Sequence, residues 1–317
     1  MSTYLEPRTF RQLQESGTLP APSGVRLNIM QMCQQEDLSL PDLVRQVLGD
    51  PMLSGRLIQI ANIPNVNKGR MVASINIELL LMVGLQSVRQ MALAISLIDS
   101  PRRSDCGAFD HSAFWARSTA MACAGQALAE MLPRVPAAEM FTNGLLAGIG
   151  RLALASVHGE RYGALLEGPE DGGALRIKEK AAFGVDHLQL AAAMMEDWHF
   201  PPLFCTAVLH HEQPDASGFA EEERQQQLVR MLALAGGFAD VCVAADARAR
   251  AAVLPRLIEQ AAAFALPLSG LEYLCSRISA DWSDWGALLQ VPARTLPVMA
   301  GELATAAERM GAAQAAH

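Results

Sequence analysis

The densest run of groups able to do chemistry is His210-His211-Glu212, with Asp186-His187 and His199 shortly before it in the chain. Imidazoles and carboxylates converging on one or two divalent cations could lower the pKa of bound water and clamp phosphoryl oxygens, the chemistry of a metal-dependent phosphohydrolase. Adjacent side chains on a helix point about 100° apart, so His210 and His211 cannot both face one cation. A structural role, with these imidazoles bonding backbone at helix ends or bracing a lobe interface, is the stronger reading. Gly148-x-Gly150-x-x-Ala153 has the spacing of a dinucleotide loop. Such a loop works only between a strand and a helix N-terminus, and no strand pattern precedes it, so these glycines are read as points of close helix packing. No Gly-x-Ser-x-Gly elbow, no Gly-x-x-x-x-Gly-Lys-Ser/Thr loop and no His-Glu-x-x-His pair occurs. Trp115 and Trp198 lie in apolar helical runs and are expected in the core.

The elements that must position these residues read as helices throughout. Hydrophobic residues make up 51% of the 317, charged residues 18% and aromatics only 5%. Alanine, leucine and methionine carry the apolar content, and they lose little rotamer freedom in a helix. With no alternating strand pattern and no fixed-period repeat, the fold class is all-α. Residues 1–18 read as a polar lead with one helical turn, followed by Pro20 and Pro22, which force extended geometry. Ser39 is expected to cap a helix bearing Leu43, Val44, Val47 and Leu48; Gly49 closes it and Asp50-Pro51 starts the next. After a turn-rich stretch at 62–72, Ser74 is expected to cap a third helix, and residues 85–98 a fourth. The polar stretch 101–107 reads as a lobe boundary. Asp110 then caps a long helix, Pro136 opens one running to about Val157, and Gly168, Pro169, Gly172 and Gly173 form a loop. Helices follow near 174–183, at 188–198 and up to His211, then at 221–247, 251–264 and 268–278 and from Ala300, with a fraying tail.

Charge and cysteine content exclude several function classes. The net charge is −8, and basic clusters such as Arg102-Arg103 and Arg176 to Lys180 are short. Nucleic-acid affinity rests on cations that neutralise phosphates, so nucleic acid is not an expected partner, and neither is a membrane surface. Cysteines at 33, 106, 123, 205, 242 and 275 form no Cys-x-x-Cys pair and read as buried thiols of a reducing compartment. The opening MSTYLEPRTFRQ has no apolar run of a secretory signal. The most apolar window, Leu79 to Ile98, is interrupted by Gln86, Ser87, Arg89 and Gln90, so it reads as two helices joined at Gly84-Leu85 rather than a membrane span. The expected location is the cytoplasm.

An ordered set of short motifs resembles the HDOD family, relatives of the HD and HD-GYP phosphohydrolases. It begins at Leu19-Pro20 and runs through Asp50-Pro51, Leu53-Ser54-Gly55-Arg56-Leu57, Ile60-Ala61-Asn62, Ser74-Ile75 and Val83-Gly84-Leu85. It continues with Phe114-Trp115, Gly144-Leu145-Leu146, Gly184-Val185-Asp186-His187, Trp198 with Pro201, and His210-His211-Glu212. The resemblance implies a multi-helical HD-like bundle used in bacterial signalling. It also implies an HDOD domain over 19–215, made of an N-terminal lobe (about 19–100) and an HD-like lobe (about 108–215). Residues 216–317 are read as a helical extension packing on the HD-like lobe. In the catalytic relatives a His-Asp doublet follows the Gly-Leu-Leu motif, where this chain has Ala147 and Gly148, and an upstream histidine falls near Arg117. Neither alanine nor glycine can ligate a metal, and a guanidinium repels one.

The leading expectation is a non-catalytic bacterial signalling protein with a degenerate HD site, no catalytic residue, no metal and no cofactor. Its candidate remnant site or interaction surface is Arg117, Ala147, Gly148, Asp186, His187, Trp198, His210, His211 and Glu212. Its expected partners are signalling proteins, with cyclic-di-nucleotide pathway components among the candidates. Two alternatives stand beside it. One is residual phosphohydrolase or phosphodiesterase activity using His187, His210, His211, Glu212 and Asp240; the other is a nucleotide second-messenger sensor that binds without hydrolysis.

Overall fold

Caps and breakers written in the sequence divide the chain into helices. The structure, a computed structural model, describes residues 4–16, 19–20, 24–33, 35, 37–62, 73–98, 106–167, 172–198 and 200–315, and among these the regular elements are all helical. The turn-rich stretch expected at 62–72 beyond Asn62, the boundary at 101–105, Pro22, Gly168, Pro169, His199 and the end of the tail lie outside the described residues. The chain separates into two compact units, Pro20–Arg102 and a larger one made of Met1–Leu19 with Arg103–His317. The polar lead holds a full helix, α1 (Pro7–Glu15), rather than one turn.

The smaller unit holds α2 (Gly24–Met32), α3 (Leu40–Leu48), α4 (Pro51–Ala61), α5 (Ile77–Val83) and α6 (Leu85–Ile98). Asp50 caps α4 by accepting from the backbone N–H groups of Met52 (3.1 Å) and Leu53 (3.0 Å), and its carboxylate is paired with Arg26 at 2.5 Å. Ile29, Leu43, Val47, Leu53, Leu57 and Leu80 form the core of this unit. The third helix starts later than expected: Asn76, not Ser74, supplies the cap, accepting from Leu79 N at 2.8 Å. An Asn one residue before Ile77 reaches the orphan N–H groups that Ser74, farther upstream, cannot. Gly84, at φ +86°, turns the chain 87° between α5 and α6, so the apolar window is two helices as its sequence suggested.

In the larger unit α7 (His111–Met131), capped by Asp110, is the central helix, packed by α8 (Ala137–Leu146), α13 (Arg224–Val243) and α15 (Leu268–Leu289). Nearly every face of α7 is buried. Its small residues let backbones approach: a Cβ on Gly125 would stand 2.7 Å from the carbonyl oxygen of Met140, and one on Gly144 of α8 would collide with the Met121 backbone. The helix expected to run from 137 to about 157 is interrupted by a turn at Ala147-Gly148, both with right-handed helical backbone, and resumes as α9 (Ile149–Leu166), which is itself kinked at Gly159 (φ +35°, ψ −113°). That course brings α9 against α11 (His187–Asp197), where a Cβ on Gly150 would collide with the carbonyl of His187. Between them in sequence lies α10 (Gly172–Phe183), opened by the two glycines expected in a loop. By length and composition Ala137–Leu166 could cross a membrane, but its most apolar window is 78% buried inside the protein and it is divided at Gly148.

After α12 (Pro202–His210) and a 3-10 turn at Pro214–Ala216, α13 returns along α7. It begins at Arg224 and stops at Val243, because Asp246 caps a separate α14 (Ala247–Ala262). Helix α15 runs past the expected end at Ile278 to Leu289, since Ile278, Trp282 and Leu289 continue one buried face. Trp282 is 2% exposed and donates its indole N–H to the Ala116 carbonyl at 2.9 Å. The last helix, α16 (Ala300–Ala315), packs on α14 and α15.

Candidate functional site

The sequence-predicted site residues fall into three places. The first is the crossing of α7 and α13. Arg117 projects from α7 over Gly236 and donates through Nε to Asp240 Oδ1 at 2.8 Å. Burial works against the guanidinium charge, but Asp240 and Glu212 more than offset it and hold its pKa above the ordinary arginine value. Ala147 is fully buried at the α8–α9 break, and the missing side chain of Gly148 leaves room for the Phe114 ring, which a Cβ would meet at 3.2 Å. Neither position offers a donor atom.

The second place is a buried polar cluster around His187, the first residue of α11. Glu179 of α10 is fully buried and accepts from the His187 backbone N–H (2.9 Å), from its ring Nδ1 (2.7 Å) and from the Tyr162 hydroxyl of α9 (2.9 Å). On the other side of the ring, Nε2 stands 3.0 Å from Glu212 Oε1, which also receives Arg151 of α9 at 3.4 Å. Both ring nitrogens therefore face carboxylates, and an imidazole can donate to both only when protonated. Burial disfavours that charge, yet the bonds from Glu179 and Glu212 outweigh it and raise the His187 pKa above 6.5. The Glu212 carboxylate is in turn held well below its ordinary range, mainly by His187, His211 and Arg151 acting against burial.

His211 is the neutral neighbour of this cluster. It is 6% exposed, its Nδ1–H donates to the Val208 carbonyl at 2.7 Å, and burial pushes its pKa down to about 4. His210, next in the chain, points elsewhere: it stands edge-on to Phe219 at 5.8 Å, and burial beside Arg176 lowers its pKa. The divergence follows the helical 100° step.

The third place is the cap of α11. Asp186 has no exposed side-chain surface; it accepts from Gln189 N at 2.8 Å and pairs with Arg176 and Lys180, each at 3.2 Å. Arg176 and Lys180, which read as a basic cluster, thus neutralise a buried cap. Trp115 is in the core, whereas Trp198 is half-buried at the C-terminal end of α11, outside the cluster.

The structure brings His187, His211 and Glu212 together, sets Arg117 and Asp240 as a pair within electrostatic reach of Glu212 and His211, and leaves Asp186, His210 and Trp198 apart. Sequence reading missed Glu179, Tyr162 and Arg151. Glu179 stood inside an apparent basic run, and nothing local signals that α10 and α11 fold back to set it against His187. Among the described residues no group of three or more His, Cys, Asp or Glu side chains could hold a metal ion. The donor chemistry agrees: both His187 nitrogens are engaged by carboxylates, and Arg117 engages Asp240.

No curated protein matches the chain. Among solved structures, the MmoQ response regulator of Methylococcus capsulatus str. Bath is 37% identical, with 81% of this chain and 98% of that chain covered, at a TM-score of 0.50. A Shewanella amazonensis SB2B protein whose name carries the word phosphohydrolase is 21% identical, covering 90% of this chain and 99% of its own, at a TM-score of 0.65. An HDOD domain protein from Geobacter sulfurreducens is 18% identical, covering 86% and 97%, at a TM-score of 0.61. At such identities the last two show the shared helical fold and nothing finer. The family model described as HDOD domain matches residues 19–214, from the helices of the smaller unit to the turn that carries His211 and Glu212, and the chain belongs to the HDOD domain family.

Proposed function

We propose that this HDOD protein is a non-catalytic signalling regulator that works in the cytoplasm by contacting a signalling protein. The observation that carries this reading is the Arg117–Asp240 ion pair, together with residues that carry no donor atom at 147 and 148. A fixed guanidinium takes up the carboxylate on α13 that a cation would need, and two residues without donor atoms stand at the α8–α9 break. A metal-activated hydroxide therefore has no ligand set to form on. The 37% identity to a protein named as a response regulator supports a regulatory role.

Two measurements test the reading. Purified protein equilibrated with manganese, iron or zinc and then desalted is expected to retain no stoichiometric metal and to leave bis(p-nitrophenyl) phosphate intact. Retained metal with turnover abolished by chelation overturns the non-catalytic half. Deleting the gene is expected to change transcript levels, with restoration by the wild-type chain; an unchanged transcript profile overturns the regulatory half.

A further inference from the structure

Glu212 is the second residue of the connection, residues 211–223, that leads from α12 into α13. Most ties on that connection are exposed: Arg176 to Gln213 (3.2 Å), Arg256 to the Glu212 carbonyl (3.2 Å), and Arg230 to Asp215 (3.3 Å) and Glu221 (3.0 Å). Its part-buried ties are those of buried Gln226, which donates to the Pro214 carbonyl (3.1 Å) and accepts from the Ser217 hydroxyl (2.6 Å), that of Arg151 to Glu212 (3.4 Å), and the bond between Glu212 Oε1 and His187 Nε2, which alone among them runs to an imidazole, 1% exposed, whose other nitrogen is fixed on Glu179. Because Glu179 also accepts the His187 backbone N–H and the Tyr162 hydroxyl, the ring cannot turn to relieve a lost proton. A neutral ring that keeps Nδ1–H on Glu179 must present the Nε2 lone pair to the Glu212 carboxylate, and two acceptors repel.

We propose that Glu179, His187 and Glu212 form a proton-operated clasp: the imidazolium ties the connection to α10 and α11, and loss of its proton releases Glu212 and loosens that connection.

Among the surrounding groups, His187 is the imidazole whose pKa is raised rather than lowered, because both of its nitrogens face carboxylates. Tyr162 is buried and its pKa is pushed up, so it stays a donor. Arg151 is permanently charged. Asp186, capped and paired with Arg176 and Lys180, is held below the usual carboxylate range, as is Glu212. His211 and His210, both lowered, are already neutral. The position of His187 at the N-terminus of α11 also disfavours its charge, so protonation depends on both carboxylates.

Hydrogen exchange of the backbone amides of residues 213 and 215–219 in the full chain, corrected for intrinsic rates between pH 6 and 9, tests this. Opening of the wild-type segment is expected to rise with pH by up to tenfold per unit above about 6.5, and to level off once the ring is neutral in the closed state. Glu212→Gln provides the discriminating variant, because its amide N–H can donate to a neutral Nε2 while Glu179 keeps Nδ1–H. Its segment is expected to stay protected and pH-independent over the same range. Side-chain ¹⁵N spectra should show the His187 ring doubly protonated at pH 6.5 in the wild type and neutral at pH 7.5 in Glu212→Gln. Wild-type exchange that does not change with pH, a neutral ring at pH 6.5, or an unaltered pH dependence in Glu212→Gln each overturns the clasp.

Discussion

At the scale of single residues, two buried histidines act in opposite senses within one cluster. His187 has a raised pKa, so its contribution to stability is complete below about 6.5 and is lost as pH rises through its folded value. His211, lowered to about 4, contributes fully above 6.5 and loses that contribution as pH falls from 6.5 to about 4. Urea midpoints measured from pH 4 to 9 are thus expected to crest near neutrality. The acid limb should weaken in His211→Asn, which does not titrate; an acid limb unchanged in that variant contradicts the assignment. Glu179, fully buried with three donors on it, has a larger role than its place in a charged run suggests. Truncation in Glu179→Ala strands a buried imidazolium beside an unpartnered tyrosine hydroxyl and is expected to cost roughly 3–5 kcal/mol by urea denaturation. A loss of only a few tenths would show that the cluster is not tied as the geometry has it. The Arg117–Asp240 pair, about one-third exposed, is expected to matter far less to stability, because solvent screens it.

At the scale of elements, close helix crossings decide where the site can be. Helix α8 meets α7 through Gly125 and Gly144, and α9 meets α11 through Gly150, in each case with main chain filling the place of a Cβ. The latter crossing presses α9, with Arg151 and Tyr162 on it, against the residue whose ring holds Glu179 and Glu212. Gly150→Ala is accordingly expected to lower stability by about 1–3 kcal/mol and to disturb the His187 cluster. Gly218→Ala serves as a control of another kind: no atom lies near its Cβ, and its positive φ of +79° makes any penalty one of local backbone strain, without effect on the ¹⁵N signature of His187. If Gly150→Ala leaves both thermal midpoint and imidazole spectrum unchanged, the backbone contact is not as close as described.

At the scale of the whole molecule, the family match ends at residue 214, but the packing of the larger unit does not. Helices α13 and α15 cover α7, and Trp282 hydrogen-bonds the α7 backbone from a 2% exposed position. A chain ending at Asp215 would expose that buried face and is expected to aggregate or bind a hydrophobic dye rather than fold. The milder Trp282→Ala change should cost roughly 3–5 kcal/mol from lost packing and an unpartnered carbonyl. A soluble, cooperatively folding product truncated at 215 would show that the later helices are a separate domain.

Much of this was legible in the chain itself, and the reasons are local. Helix identity follows from composition and from caps such as Asp50 and Asp110, because a cap acts on N–H groups two or three residues away. The divergence of His210 from His211 follows from helical geometry alone. Family membership followed from the order of short motifs. What only the tertiary structure decided is non-local: that Glu179 of α10 and Glu212 beyond α12 grip the two nitrogens of one imidazole, and that Arg117 meets Asp240 across more than a hundred positions of sequence. Charges buried in pairs are selected by which backbones can come close enough, and that is set by the packing of glycine-lined helices rather than by any pattern along the strand of residues.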